Sequence, residues 1–259
     1  MQSIMPFTDN FRDFASKSQW VDSLNIDSLN KVYLSADIDW APDYAVEVML
    51  AEIEKRNLKM TVFATHKSSL LLQPQPNIEI GVHPDYTRTV EQKDLKYQLS
   101  FLLDIFPDAL GVRSHRNFFG QNTCDFANEF QLKYEASNIQ WGMPFLCPHR
   151  DYNQMVRIPY FWEDGIHCDM NLPWTLDQLP IHCAGLKVIN FHPMALYLNS
   201  PTESHRRSVV GNYSDLTIAP FSVLEKQRFH GTGAFTYFKM ILDMLVEQRV
   251  NCDLMSELI

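Results

Sequence analysis

The sequence predicts an α/β fold built on parallel strands. Short β-rich apolar runs alternate with stretches whose apolar residues recur at helical spacing. Only 9 glycines occur in the 259 residues, and no low-complexity linker or fixed repeat divides the chain. That length, with 46% hydrophobic residues, suits one large domain over residues 1–259 and is close to the roughly 250 residues of a single α/β barrel.

The first strand is read in "KVYLSADID" (31–39). "APDYAVEVMLAEIEKRN" (41–57) follows as a helix, with Ala45, Val48, Met49 and Ile53 at helical spacing. Asp43 sits early in it and Lys55 and Arg56 late, as the helix dipole prefers. "KMTVFATH" and "NIEIGVH" are the second and third strands, and a helix through "EQKDLKYQLSFLLDIF" leads to a fourth, "ALGVRSH". "KYEASNIQW", "VRIPYFWED", "GIHCDM" and "LKVINFH" read as further strands. The amphipathic "GTGAFTYFKMILDMLVEQRV" closes the chain as a helix whose methionines serve core packing.

Composition narrows the function classes. A net charge of −9 argues against nucleic acid as the partner, since phosphate binding needs a basic face, and "SHRRS" (204–208) is too short to provide one. Five scattered cysteines without a CxxC fit reduced thiols better than a disulfide framework. "MQSIMPFTDNFRDF" lacks the pattern of a secretory leader, and no apolar run approaches the ~20 residues of a membrane span. A cytoplasmic location is the expectation.

The strand ends carry the functional signal. Asp37 and Asp39, His66, His83, His115 and His192 each lie at the end of an apolar run. In a barrel of parallel strands these ends share one face, where active sites are built. Asp37 and Asp39, one residue apart at a strand end, would project to the same side and repel unless a cation, a shared proton or water lies between them. Imidazole nitrogens with a carboxylate suit a divalent ion such as zinc, with open positions for water. A second carboxylate that does not ligate can take a proton from water, and a protonated imidazole can deliver one to a leaving group. This inventory serves hydrolysis of an amide or ester.

The same stretches resemble the polysaccharide deacetylase family, the NodB-homology group of carbohydrate esterases. "LSADIDW" resembles the opening motif, in which the first Asp is the base and the second binds metal. "EIGVHP" is similar to the motif that supplies metal-binding His, "GVRSHRNF" to the motif whose Arg holds the base, and "VINFHPM" to the motif of the acid His. The resemblance runs from about Lys31 to the carboxyl terminus and implies a distorted (β/α) barrel of about seven parallel strands. It implies Asp37 as base, Arg113 as its partner, His192 as acid, and Asp39 and His83 as ligands of a divalent metal, zinc first, with cobalt, nickel or manganese as alternatives. Family members usually carry a second ligating His four residues after the first. Thr87 stands there, a poor zinc ligand, and His115 is the substitute by position.

"YFWEDG" (160–165) crowds aromatics against acids. Asp164 is expected to orient His192, Trp162 to stack on a sugar face, and Tyr160 and His66 to line the substrate pocket. The expected activity is metal-dependent removal of an acetyl or similar acyl group from an amino sugar carried on a lipid- or nucleotide-linked glycan precursor. Two alternatives stand beside it: a metal-dependent amidohydrolase of a small cyclic amide or ureide, and a glycan-binding protein whose metal site has decayed.

Overall fold

The computed structural model describes residues 31–88, 92–179, 181–182 and 185–259. The stretch read above for a leader, residues 1–14, lies outside them, as does Cys183.

Among the described residues nine strands form one sheet: β1 (Val32–Asp37), β2 (Met60–Ala64), β3 (Ile78–Val82), β4 (Gly111–Val112), β5 (Tyr134–Glu135), β6 (His149–Arg150), β7 (Val156–Arg157), β8 (Trp162–Glu163) and β9 (Lys187–Phe191). Their order is β6-β7-β5-β4-β3-β2-β1-β9-β8, parallel throughout except for the β6–β7 pair. The central members β1, β2 and β9 are buried along their whole length, which is why they read as continuous apolar runs rather than alternating ones.

β7 and β8 belong to one extended segment, 156–163. It pairs with β5 at its start, bridges Ile139 through Tyr160, and pairs with β9 at its end. The sheet therefore curls on itself around seven staves: β1, β2, β3, β4, β5, this segment and β9. The distorted barrel of about seven parallel strands implied by the family resemblance is the observed fold.

Helices pack outside the barrel. The first, α1 (Asp43–Lys55), buries Ala45, Val46, Met49, Leu50 and Ile53 and ends before Asn57, whose φ of 52° is the left-handed conformation common after a helix. Next come α2 (Gln92–Ile105), α3 (Gln121–Glu129), α4 (Asp164–Asp169), α5 (Pro193–Tyr197), α6 (Glu203–Val210), α7 (Phe221–Leu224) and α8 (Ala234–Glu247). The methionine-rich α8 buries Tyr237, Phe238, Ile241, Leu242 and Leu245. Among the described residues, no helix is long and apolar enough to cross a membrane, and Cys124, Cys147, Cys168 and Cys252 are free thiols.

Three sequence expectations are corrected here. "GIHCDM" is not a strand: Asp164 to Asp169 form α4, with Glu163 at the N-cap, Asp164 in the first turn, and Asp164, His167 and Cys168 on the buried face. "ALGVRSH" and "KYEASNIQW" contribute ladders of only two residues each: Ser114 and His115 turn into the cavity, while Asn138 to Gln140 run on beside Tyr160 with a single bridge at Ile139. "VRIPYFWED" divides into two ladders on opposite edges as the barrel closes.

The barrel interior leaves no room at Gly111. A Cβ there would lie 2.0 Å from Tyr134 Cζ. Tyr134 is itself fully buried, and its hydroxyl donates to Glu79 Oε1 at 2.5 Å. Gly111→Ala is therefore expected to destabilise the fold by about 1–3 kcal/mol through overpacking. Thermal unfolding checks this, and a melting temperature equal to wild type contradicts it.

Candidate active site

The parallel register brings the ends of β4, β3, β1 and β9 to one side of the sheet, with β2 between β3 and β1, and the site is built where they end. Asp37 is the last residue of β1, His83 follows β3, Arg113 follows β4 and His192 follows β9. Asp37, His83 and His192 line one cavity of about 800 Å³, within the usual range for a small-molecule pocket, roughly 300–1,000 Å³, and Arg113 is buried behind Asp37.

Asp39 lies beyond the end of β1. It and Trp40 take left-handed backbone conformations, φ 43° and 57°, at a cost of about 1–3 kcal/mol each for non-glycine residues. Trp40 N–H donates to Thr65 Oγ1 (2.9 Å), which fixes this turn. The turn directs the Asp39 carboxylate at two imidazoles: Oδ1 is 3.3 Å from His83 Nε2 and 3.1 Å from His115 Nδ1. His115 reaches this point because its backbone N–H donates to Pro84 O (3.0 Å), docking the end of the β4 stretch beside His83. Ligand atoms of Asp39, His83 and His115 all lie within 4.8 Å of one another. Two imidazole nitrogens and one carboxylate oxygen are a donor set that fits a first-row divalent ion. Thr87 is exposed, with its hydroxyl turned back to Asp85 Oδ1 (2.6 Å).

Asp37 is buried beside this triad, its Oδ1 3.7 Å from His83 Nδ1. Arg113 Nη1 donates to Oδ1 (3.1 Å) and Asn190 Nδ2 to Oδ2 (2.8 Å). Arg113 is fully buried between the rings of Phe63 and Tyr160, 4.4 and 4.5 Å from their centroids. Its Nη1 also donates to Ser35 Oγ and Asn190 Oδ1, and its Nε to Ala136 O. Asp37 is thus held by a cation and an amide at fixed positions.

His192 stands on the other side of Asp39, with Nε2 3.9 Å from Asp39 Oδ2. Asp164, at the start of α4, accepts from His192 Nδ1 (2.5 Å) and from the His192 backbone N–H (2.9 Å). Electrostatics follow the layout. Burial opposes ionisation of Asp39, but hydrogen bonds from His115 and His83 and the charge of His192 hold its carboxyl well below the usual range. Burial likewise opposes protonation of His192, yet Asp164, with Asp39 and Glu163 behind it, pushes its pKa up to about 10. His83 is raised in the same way: burial acts against it and is outweighed by Asp37 and Asp39. Glu163, on the cavity wall, is raised by burial.

Of the residues expected from sequence, Asp37, Asp39, His83, Arg113, His115, Asp164 and His192 meet here. Tyr160 lines the cavity; its hydroxyl donates to Glu163 Oε2 (3.0 Å) and accepts from Asn117 Nδ2 (2.7 Å). Trp162 does not reach the cavity. It is 2% exposed and packs among Trp141, His167, Phe191 and Tyr237, so it presents no face to a sugar. His66 is also elsewhere: its strand ends at Ala64, and its ring lines a separate shallow pocket with Asp43 and Ile218. Sequence reading missed Asn190 and Ser35, which sit in cross-strand register on β9 and β1 and are joined by a 2.9 Å hydrogen bond. Each lies two residues before a site residue, on the same strand face, in an otherwise apolar run. It missed Trp40 as well, the aromatic side chain on the cavity wall next to the triad, edge-on to His115 at 5.0 Å.

The barrel and the residues at its mouth define a NodB-type fold of the carbohydrate esterases. The chain belongs to the WbmS-like polysaccharide deacetylase family, whose model matches residues 34–209. Among solved structures it is similar to a Bordetella bronchiseptica protein provisionally described as a polysaccharide deacetylase involved in O-antigen biosynthesis, with 24% identity and a TM-score of 0.74 over 89% of this chain and 99% of that one. It is similar in fold to the Bc1960 peptidoglycan N-acetylglucosamine deacetylase (12% identity, TM-score 0.50, 88% and 87% covered). The Bacillus subtilis peptidoglycan deacetylase PdaC is alike to the same degree (13%, 0.50, 88% and 89%). A search of curated proteins found no match.

Proposed function

We propose that the chain hydrolyses the N-acyl bond, foremost N-acetyl, of an amino sugar in a metal-dependent reaction. The observation that carries this reading is the convergence of Asp39, His83 and His115 within 4.8 Å between two differently anchored groups, Asp37 and His192. Membership of the deacetylase family supports it.

Asp39, His83 and His115 would hold the divalent ion, with zinc favoured by the nitrogen-rich set and cobalt, nickel or manganese next. When bound, such an ion supplies Lewis acidity that polarises an acyl carbonyl and lowers the pKa of water. Asp37 takes one proton from the attacking water, and the hydroxyl oxygen forms the new bond to the acyl carbon. Arg113 and Asn190 hold the base in place through one hydrogen bond to each of its oxygens. As the C–N bond breaks, His192 Nε2 gives its proton to the amine nitrogen, while Asp164 fixes the ring through Nδ1. The products are the acid, acetate in the foremost case, and the free amino sugar.

Acetate release from N-acetylated amino sugars, assayed with and without added divalent metal, tests the reading. Metal-dependent release is expected. Ring opening of cyclic ureides in its place favours the amidohydrolase alternative, and a protein that binds glycan but takes up no metal favours the binder.

The role of His192 also sets a pH dependence. A general acid must carry its proton, so turnover falls as pH rises through the His192 pKa. Asp164 is the foremost group raising that pKa, so Asp164→Asn is expected to move the alkaline limb of kcat to lower pH. An unmoved limb contradicts the assignment.

A further inference from the structure

Among the described residues three arginines line the cavity, Arg116, Arg206 and Arg207, in a chain whose net charge is −9. They come from two separate elements. Arg116 lies in the tight turn His115–Asn117, directly after a member of the metal-capable triad. Arg116 and Asn117 both hold left-handed backbone, φ 56° and 53°, which makes the turn tight. Asn117 on Tyr160, and Ser114 Oγ on Phe118 O (2.5 Å), tie the turn down on both sides. Arg116 is exposed and has no ion-pair partner among the described residues.

Arg206 and Arg207 come from α6. Glu203, 7% exposed, receives Arg206 through both carboxylate oxygens (2.7 and 2.5 Å), and Arg207 gives it only Nε (2.7 Å). One buried carboxylate thus positions two guanidinium groups and leaves the trio with a net positive charge. Arg207 remains 70% exposed, with its two Nη groups uncommitted to Glu203. Asp37, Asp39, Asp164 and Glu203 are each paired with cationic or imidazole groups. Glu163 is bonded to Tyr160, and Asp169 is the remaining acid facing this cavity.

The geometry points to a subsite in which Arg116 and Arg207 bind the diphosphate of a sugar 1-diphosphate, with the sugar reaching inward to Asp39. Guanidinium forks match phosphate oxygens bidentately, and the Nη pair of Arg207, held to Glu203 by Nε alone, and the exposed Arg116 guanidinium have donors left to give. This subsite deepens the deacetylase reading and rests on it only for the sugar end. The diphosphate belongs to a nucleoside or to an isoprenoid lipid; both present the same anion to these side chains.

Calorimetric titration of the metal-loaded protein with compounds lacking any amide tests the subsite without turnover. The probes are glucose, glucose 1-phosphate, UDP-glucose and glucosyl diphosphate on a short isoprenoid chain. At least one diphosphate is expected to bind roughly tenfold or more tighter than glucose, and Arg116→Ala and Arg207→Ala are each expected to weaken it about tenfold. The tighter of the two diphosphates identifies the source. No gain from the diphosphate overturns the proposal. So does a gain that survives in the double variant, which would place the anion on the metal instead. Diphosphate binding without acetate release would remove the deacetylase reading and leave the subsite. Free N-acetyl sugars or their oligomers hydrolysed as efficiently as the diphosphates would do the reverse.

Discussion

Asp37→Asn is expected to lower kcat by about 10²–10⁴-fold, the usual contribution of a positioned acid or base, while bound metal stays at the wild-type ratio. The substitution is isosteric and removes the group that accepts a proton. Its effect on the fold is bounded by its neighbours. An amide at position 37 can satisfy only one of its two donors' partners as the carboxylate does, because Arg113 Nη1 and Asn190 Nδ2 both donate to it. One lost hydrogen bond to a buried group costs about 1–3 kcal/mol. Arg113 keeps its bonds to Ser35, Asn190 and Ala136 and its place between Phe63 and Tyr160, so the variant should fold. Near wild-type turnover in a folded, metal-loaded Asp37→Asn protein contradicts the base assignment.

The second large effect concerns the triad itself. His83→Ala and His115→Ala are each expected to lower metal affinity by more than the roughly 10–100-fold that changes behind the ligands cost, and to abolish activity at ambient metal. His83 is 2% exposed and lines the cavity, and alanine there supplies no nitrogen in its place. His115 is the sharper test, since Thr87 occupies the position at which family members usually supply a second His. Thr87 is exposed and bonded to Asp85, so Thr87→Ala is expected to leave metal binding unchanged. Metal content by elemental analysis after gel filtration checks all three. Full metal retention in His115→Ala would show that another group completes the set.

What the sequence made legible and what it hid have a common physical origin. Strands such as β1 and β9 are buried on both faces, so a polar side chain at their end stands out, and His83, Asp37 and His192 could be found from one line of text. The closing segment 156–163 could not be read as two ladders, because its partners β5 and β9 are set by barrel closure and not by local pattern. Trp162 misled for the same reason. An aromatic beside two acids reads alike in a pocket and in a core, and only packing by His167 and by Tyr237 of α8 decides the case. Ser35 and Asn190 were visible as polar interruptions of apolar strands, but their joint grip on Arg113 depends on the β1–β9 register. "SHRRS" looked too short for a basic footprint; folding α6 over the cavity brings it to the same wall system as Arg116.

The central claim, that Asp39, His83 and His115 together grip one divalent ion, is tested most directly by anomalous diffraction from crystals of the zinc-loaded protein. The account expects a single strong peak about 2.0–2.2 Å from one oxygen of Asp39 and one nitrogen of each histidine, with Asp37 hydrogen-bonded to Arg113 and outside the coordination sphere. No peak at the mouth of the barrel, or a peak ligated by Asp37 with His115 turned away, would contradict it.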